Sequence, residues 1–146
     1  MAIKSIVCGV TGSAHAQKAA LEAAALAKRN NARLTYVYVV DAGFLKGSVG
    51  GMSMSIAQEG LERLGQQILE FAEKLAQSYQ IIPGTIVRTG PVLEVLKQIV
   101  LEENADVLVL GHEERSFFDK LLFKGSVEDH IEELKKLTGA DVTVIR

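Results

Sequence analysis

Asp106-Val107-Leu108-Val109-Leu110-Gly111 is an aliphatic run opened by one carboxylate and closed by glycine. A half-buried strand alternates apolar with polar residues. This stretch does not, so it reads as a strand covered on both faces, the kind found in parallel sheets. The run Ile3–Val10 (IKSIVCGV) has a similar β-branched character and ends near Gly12. Leu34–Val40 is a second strand rich in Tyr and Val. Ile81–Thr89, with Pro83-Gly84 near its start, is a third, and Asp141–Arg146 is the last.

The intervening segments carry helical spacing. Ser13–Asn30 holds eight alanines, the best helix former, whose small side chains let a helix lie close on a sheet. Ser13 is placed to cap its start, and Asn30-Asn31 to end it. Leu61, Leu64, Ile68, Phe71, Leu75 and Tyr79 recur at steps of three and four, the apolar stripe of an amphipathic helix over Ile56–Gln80. Pro91 fits the first helical position of a third helix, whose buried face is Val92, Val95, Leu96, Ile99 and Val100 and which Asn104 stops. Ser126–Leu137 is a fourth, with Ser126 and Asp129 as a capping pair, Val127, Ile131, Leu134 and Leu137 as its apolar face, and Thr138-Gly139 at its end. The order β-α-β-α-β-α-β-α-β implies an α/β fold, a parallel sheet with helices on both faces.

The chain has 146 residues, 48% hydrophobic and 23% charged, which suits one domain, 1–146, able to bury a core without staples. A net charge of −2 gives no basic footprint, so nucleic acid is not an expected partner. One cysteine, Cys8, excludes an internal disulfide and a cysteine-built zinc site; inside an apolar run it reads as a small buried hydrophobe. No apolar run is long enough to span a bilayer, and MAIKSIVCGV reads as a first strand and not a leader, so the cytoplasm is the expected location.

Ligands of open α/β sheets bind at the carboxyl ends of the strands. That selects Gly9–Ser13, Val39–Asp41, Gly90 and the segment from Gly111 to Ser126. Gly125-Ser126 opens a helix whose N–H groups could hold a phosphate, though simple capping explains the pair equally well. Asp41–Ser55, with four glycines and two methionines, reads as a surface loop, and no Gly-Lys-Ser/Thr triplet makes it a phosphate loop. His15 and His130 fall within helices. His112, just past a strand, stands beside Glu113 and Glu114, but adjacent loop residues lack the i, i+4 spacing that aims two ligands at one metal, so no metal site is expected. No Gly-x-Ser-x-Gly elbow and no complete Gly-x-Gly-x-x-Gly fingerprint occur, and no catalytic set is expected.

Three blocks together carry a resemblance. They are Ile6-Val7-Cys8-Gly9-Val10-Thr11-Gly12-Ser13, the segment from Arg88-Thr89-Gly90-Pro91 to Gly111, and Gly125-Ser126-Val127 after a loop. Over essentially its whole length the chain resembles the universal stress protein family. The resemblance implies a Rossmann-like five-stranded sheet of order 3-2-1-4-5. It implies a homodimer, often paired through the last strands, here Val142–Ile145, where an edge with unpaired backbone invites pairing. In members that bind ATP or AMP, it places Val39 at the adenine through its backbone and Gly9 and Val10 at base and sugar. Gly111, Gly125, Ser126 and Val127 then surround the phosphates.

The chain departs from the binders' pattern, which runs Gly, two residues, Gly, nine residues, Gly, then Ser or Thr. Thr11 stands where binders commonly carry Asp near ribose and metal. Glu114 stands at the second glycine, and ten residues, not nine, separate it from Gly125. A glutamate at a glycine position restricts the backbone, and a like-charge pair at about 4 Å costs roughly 1–4 kcal/mol. Arg115, Lys120 and Lys124 offset this if they point inward. The expectation is a dimeric regulatory or binding module of the stress response with weak adenine-nucleotide binding. The alternatives are a nucleotide-independent interaction protein whose pocket has decayed, a slow ATP hydrolase using Glu113 or Glu114, and a flavodoxin-type flavin carrier. The last is disfavoured by the absence of Trp and 5% aromatic content.

Overall fold

A computed structural model describes residues 2–10, 14–40, 54–111 and 131–145. Its elements, in chain order, are β1 (Ser5–Gly9), α1 (Ala14–Asn30), β2 (Arg33–Val40), α2 (Met54–Gln77), β3 (Gly84–Thr89), α3 (Val92–Glu102), β4 (Val107–Gly111), α4 (Ile131–Thr138) and β5 (Asp141–Ile145). The strands form one parallel sheet of order β3-β2-β1-β4-β5, as the resemblance implies.

Side chains alternate across each strand. Ile6, Cys8, Leu34, Tyr36, Val107 and Val109 enter one core with α1 and α2. Val7, Val37, Leu108, Leu110 and Val142 enter the other with α3 and α4. Because both faces are covered at the centre of the sheet, β1 and β4 read as unbroken aliphatic runs, each with four buried residues in succession, whereas the edge strands β3 and β5 do not. Ala16, Ala19, Ala20, Ala23, Ala24 and Ala27 are all buried, so α1 lies close on the sheet as its alanines require. Tyr36 donates its buried hydroxyl to the Ala20 carbonyl at 2.7 Å. Cys8 is fully buried, and desolvation pushes its thiol well above the usual range, as expected of an inert hydrophobe.

Several boundaries differ from the sequence reading. Pro91 is the residue before α3, extended at φ −61° and ψ 132°, with Val92 first in the helix. Ile81–Pro83 stay outside β3, and α2 stops at Gln77 in a turn that leaves Gln80 left-handed at φ 59°. Leu137 is half-exposed, so only Leu134 is fully buried on α4. The largest correction concerns α2. Its inward face is centred on Gly65, Leu69, Ala72 and Ala76; Ile68 and Leu75 of the expected stripe pack against the core at its side, whereas Leu64, Phe71 and Tyr79 are exposed. Small residues let the helix backbone approach the sheet, and the bulkier stripe is turned to its flank. The expected loop Asp41–Ser55 is shorter than read, since Met54 and Ser55 already belong to α2; its residues 41–53, the predicted cap at Ser13 and the start of the fourth helix lie outside the described residues.

The amino end of the sheet is closed by polar groups. The Asp106 carboxylate accepts the backbone N–H groups of Lys4 at 2.8 Å and Ser5 at 3.1 Å. Ser5 Oγ and Arg33 Nη2 both donate to the Glu103 carbonyl. The two N–H donors, Lys4 first, hold the Asp106 carboxyl below the usual carboxylate range. A depressed native pKa adds stability above the unfolded value of about 4, and the gain fades as pH falls through the native value. Asp106→Asn is therefore expected to unfold earlier in denaturant at pH 7, with the difference from the parent closing in acid as the native carboxylate is protonated. Chemical unfolding at pH 7 and in acid checks it, and a gap that persists in acid would refute the ionic origin.

Candidate functional site

At the carboxyl end, the strands stop at different heights. In the ladder, Gly9 faces Val37, and the Val10 N–H donates to the Val37 carbonyl at 2.9 Å. β2 runs on through Tyr38, Val39 and Val40 beside Val87, Arg88 and Thr89. On the other side of β1, Cys8 faces Val109, and β4 continues to Gly111, which faces Ile145. The top of β1 is thus a step between the raised β2–β3 pair and β4. The chain winds outward in both directions from β1 and β4, so this is the switch point of strand order, where such sheets open a crevice.

Four candidates meet at this end: Gly9, Val10, Val39 and Gly111. Thr11, Gly125, Ser126 and Val127 lie outside the described residues, as do His112, Glu113 and Glu114. The Val10 side chain is 3% exposed and belongs to the α1–α2 core, and Val39 packs on the opposite core. These residues offer a ligand backbone N–H and C=O groups and, at partly buried Val39, an aliphatic surface, none of which performs acid–base chemistry. Gly9 has a packing role as well. A Cβ there would lie 3.1 Å from Leu110 Cδ2 and 3.8 Å from Leu96 Cδ2.

The rim of the step is built by β3 and its crossover. The Gly90 N–H donates to the Val40 carbonyl at 2.8 Å, which uses the last β2 acceptor. Gly90 sits at φ +153°, and a Cβ would meet Val95 Cγ2 at 2.9 Å, so glycine is required at this turn. α3 then opens at Pro91 with no side-chain cap. Arg88, opposite Val39, is committed to Glu102 by two bonds of 2.6 and 3.2 Å. That hydrogen bond holds the guanidinium above its ordinary value and the Glu102 carboxyl below its own. Arg88 is thus engaged and is not a free cation for a phosphate.

The sequence reading missed the polar group above β3. Gln58 Nε2, on the first turns of α2, donates to Glu62 Oε1 at 3.1 Å and Thr89 Oγ1 at 3.4 Å. The Gln58/Glu62 spacing of i, i+4 was readable, but its meeting with Thr89 comes from tertiary placement alone. Among the described residues, no group of three or more His, Cys, Asp or Glu is placed to hold a metal ion. None of the described helices is long and apolar enough to cross a membrane.

Residues 2–145 match the model of the universal stress protein family. The chain belongs to that family. Universal stress protein MJ0531 of Methanocaldococcus jannaschii is 27% identical over 128 residues, 88% of this chain and 75% of that protein. Two solved structures share the fold end to end. A universal stress protein in complex with cAMP is 20% identical with TM-score 0.72, over 100% of this chain and 99% of that one. The universal stress protein from Archaeoglobus fulgidus in complex with dAMP is 15% identical with TM-score 0.66, over 100% of both chains.

Proposed function

We propose that this protein is a cytoplasmic binding module of the stress response that takes an adenine nucleotide weakly at the carboxyl end of its sheet. The observation carrying this reading is the step at Gly9 and Val10, between the raised Val39 backbone and Gly111, in a chain of this family. Two relatives of the same fold have been solved with cAMP and dAMP, which supports an adenine nucleoside monophosphate as the ligand class. ATP is the alternative phosphate form. The base and sugar lie against the backbone of Gly9, Val10 and Val39. The phosphate lies toward Gly111, Gly125, Ser126 and Val127. Thr11 supplies no carboxylate to ribose or magnesium, which accords with weak affinity. The working form is a homodimer joined through Val142–Ile145, which is the edge strand among the described residues.

In this reading the module binds its ligand without turning it over, which accords with the aliphatic side chains of Val10 and Val39 and the glycines Gly9 and Gly111 at the step. Calorimetric titration of AMP, cAMP and ATP with magnesium is expected to give saturable binding near one ligand per chain. Ser126→Ala is expected to weaken it, and Thr11→Asp to strengthen the magnesium-dependent form. No heat with any of the three, and no thermal shift, would refute the nucleotide reading. The departures at Thr11 and Glu114 favour a second reading in that case, a nucleotide-independent dimer acting through protein partners. Hydrolysis unchanged in Glu114→Ala would exclude Glu114 as a water-orienting base.

A further inference from the structure

α2 presents to solvent a face that the fold does not use. Leu64 is 46% and Phe71 48% exposed, and both rim an apolar cleft of about 210 Å³ between α1 and α2 that reaches down to Val10. Gly60 lies inside the helix with nothing within 4 Å of where a Cβ would stand. A mid-helix glycine is destabilising relative to alanine, and nothing within the described chain explains this one. Gly65, by contrast, is explained by the Tyr38 ring beneath it.

Charges on the same face are arranged about Gln67 with two-fold sense. Glu59 lies eight residues before Gln67 and Lys74 seven after; Arg63 lies four before and Glu70 three after. Leu64, three before Gln67, and Phe71, four after, flank the same point on that face. All four charged residues are exposed, and among the described residues none has an ion-pair partner. A second α2 laid antiparallel, crossing at Gln67, sets Glu59 against Lys74 and Arg63 against Glu70, twice each. A parallel pairing would oppose like charges. In the antiparallel pairing, Phe71 of the second copy enters the space around Gly60 and Leu64, a knob meeting a hole.

We infer that the outer face of α2 is a contact between copies of this chain, two-fold, antiparallel and centred on Gln67. α2 has 24 residues, so it is roughly 36 Å long and 10–12 Å across, and pairing covers roughly 400 Å² on each copy. That is below the roughly 1,200 Å² total of stable interfaces, so the contact is weak and exchanging. α2 lies over β2 and β3, at the opposite side of the sheet from β5, so this contact is compatible with a β5-joined dimer and extends it to a dimer of dimers. The inference does not depend on nucleotide binding.

Cross-linking in the full chain tests it. Gln67→Cys places a thiol at the crossing point, and Cys8 is too buried to interfere. Under mild oxidation, Gln67→Cys is expected to form a disulfide dimer about tenfold faster than Glu22→Cys, an exposed site on α1. Adding Arg63→Glu is expected to slow it about tenfold, the size expected when two exposed attractive pairs become repulsive. Adding Glu70→Arg to that variant is expected to restore the rate, which a merely intrahelical role for these charges would not do. Equal rates at residues 67 and 22, or an Arg63→Glu variant that cross-links as fast as its parent, would overturn the inference. Circular dichroism of each variant keeps folding separate from association.

Discussion

Ile99→Ala is expected to lower the unfolding free energy by about 2–5 kcal/mol. Ile99 is fully buried at the centre of the α3 face, beside Val95, Leu96 and Val100. Helices shorter than about 12–15 residues are marginal in water, so α3, with 11 residues, exists only because this face is docked on the sheet. Truncation removes three carbons from a core that Val7, Val37 and Leu108 have already filled from the strands. Those strands are hydrogen-bonded into the sheet and cannot collapse freely into the void. Leu101→Ala, on the same helix but 48% exposed, is expected to stay within about 0.5 kcal/mol of the parent. Urea titration of both variants checks this, with the midpoint moving and the slope held for Ile99→Ala. The consequence reaches the site, because α3 holds Val95 against Gly90, and Gly90 anchors the end of β2. Equal midpoints for the two variants would mean that α3 is not held by its buried face.

Much of this architecture was legible because the residues had a single physical use. The short β-branched runs of β1 and β4, without alternation, suited strands covered on both faces, and each is buried over four successive residues. Asn31 and Asn104 could be read as helix ends because asparagine tolerates the left-handed backbone, and they sit at φ 50° and 49°. Gly139, at φ 74°, ends α4 for the same reason. The strand order came from family resemblance, since alternation alone leaves the winding open. α2 was misread in part of its face: Ile68 and Leu75 pack on the core as expected, but Leu64, Phe71 and Tyr79 do not. Periodicity weighs large apolar residues, whereas close packing on a sheet selects small ones, and Gly65, Ala72 and Ala76 carry no hydropathy signal. At the site, Gly9, Val10, Val39 and Gly111 were found from strand ends, but the unequal heights of β1 and β2 depend on register, which no single strand encodes. Gln58 and Thr89 were missed because polar residues 31 positions apart announce nothing until the chain brings them together.

The same substitution at two glycines of α2 is expected to act with opposite sign. Gly65→Ala drives its Cβ into Tyr38 Cδ1 and to 3.0 Å from Cγ, with the ring held between helix and sheet. Alanine's better helix propensity offers about 1 kcal/mol, while overpacking of this kind costs typically 1–3 kcal/mol. The ring cannot pivot away when both Cγ and Cδ1 are in contact, so the upper part of that range applies and the variant is destabilised. Gly60→Ala meets open space, keeps the propensity gain and is expected to raise stability by about 0.5–1 kcal/mol. At roughly 2–4 °C per kcal/mol for chains of this size, thermal unfolding separates the two clearly. Tyr38 supplies the decisive control: in a Tyr38→Ala background the obstruction is gone, and Gly65→Ala is expected to become neutral or stabilising, a coupling that a double-mutant cycle reads directly. If Gly65→Ala remained equally harmful there, the cost would lie in the backbone and not in the ring. Gly60 carries the sharper implication. A residue whose replacement steadies the folded chain, and whose surroundings in that chain are empty, is held as glycine for something outside it. The antiparallel contact of α2 with a second copy gives it that use, and Gly60→Ala is accordingly expected to stabilise the protomer while slowing disulfide formation at Gln67→Cys.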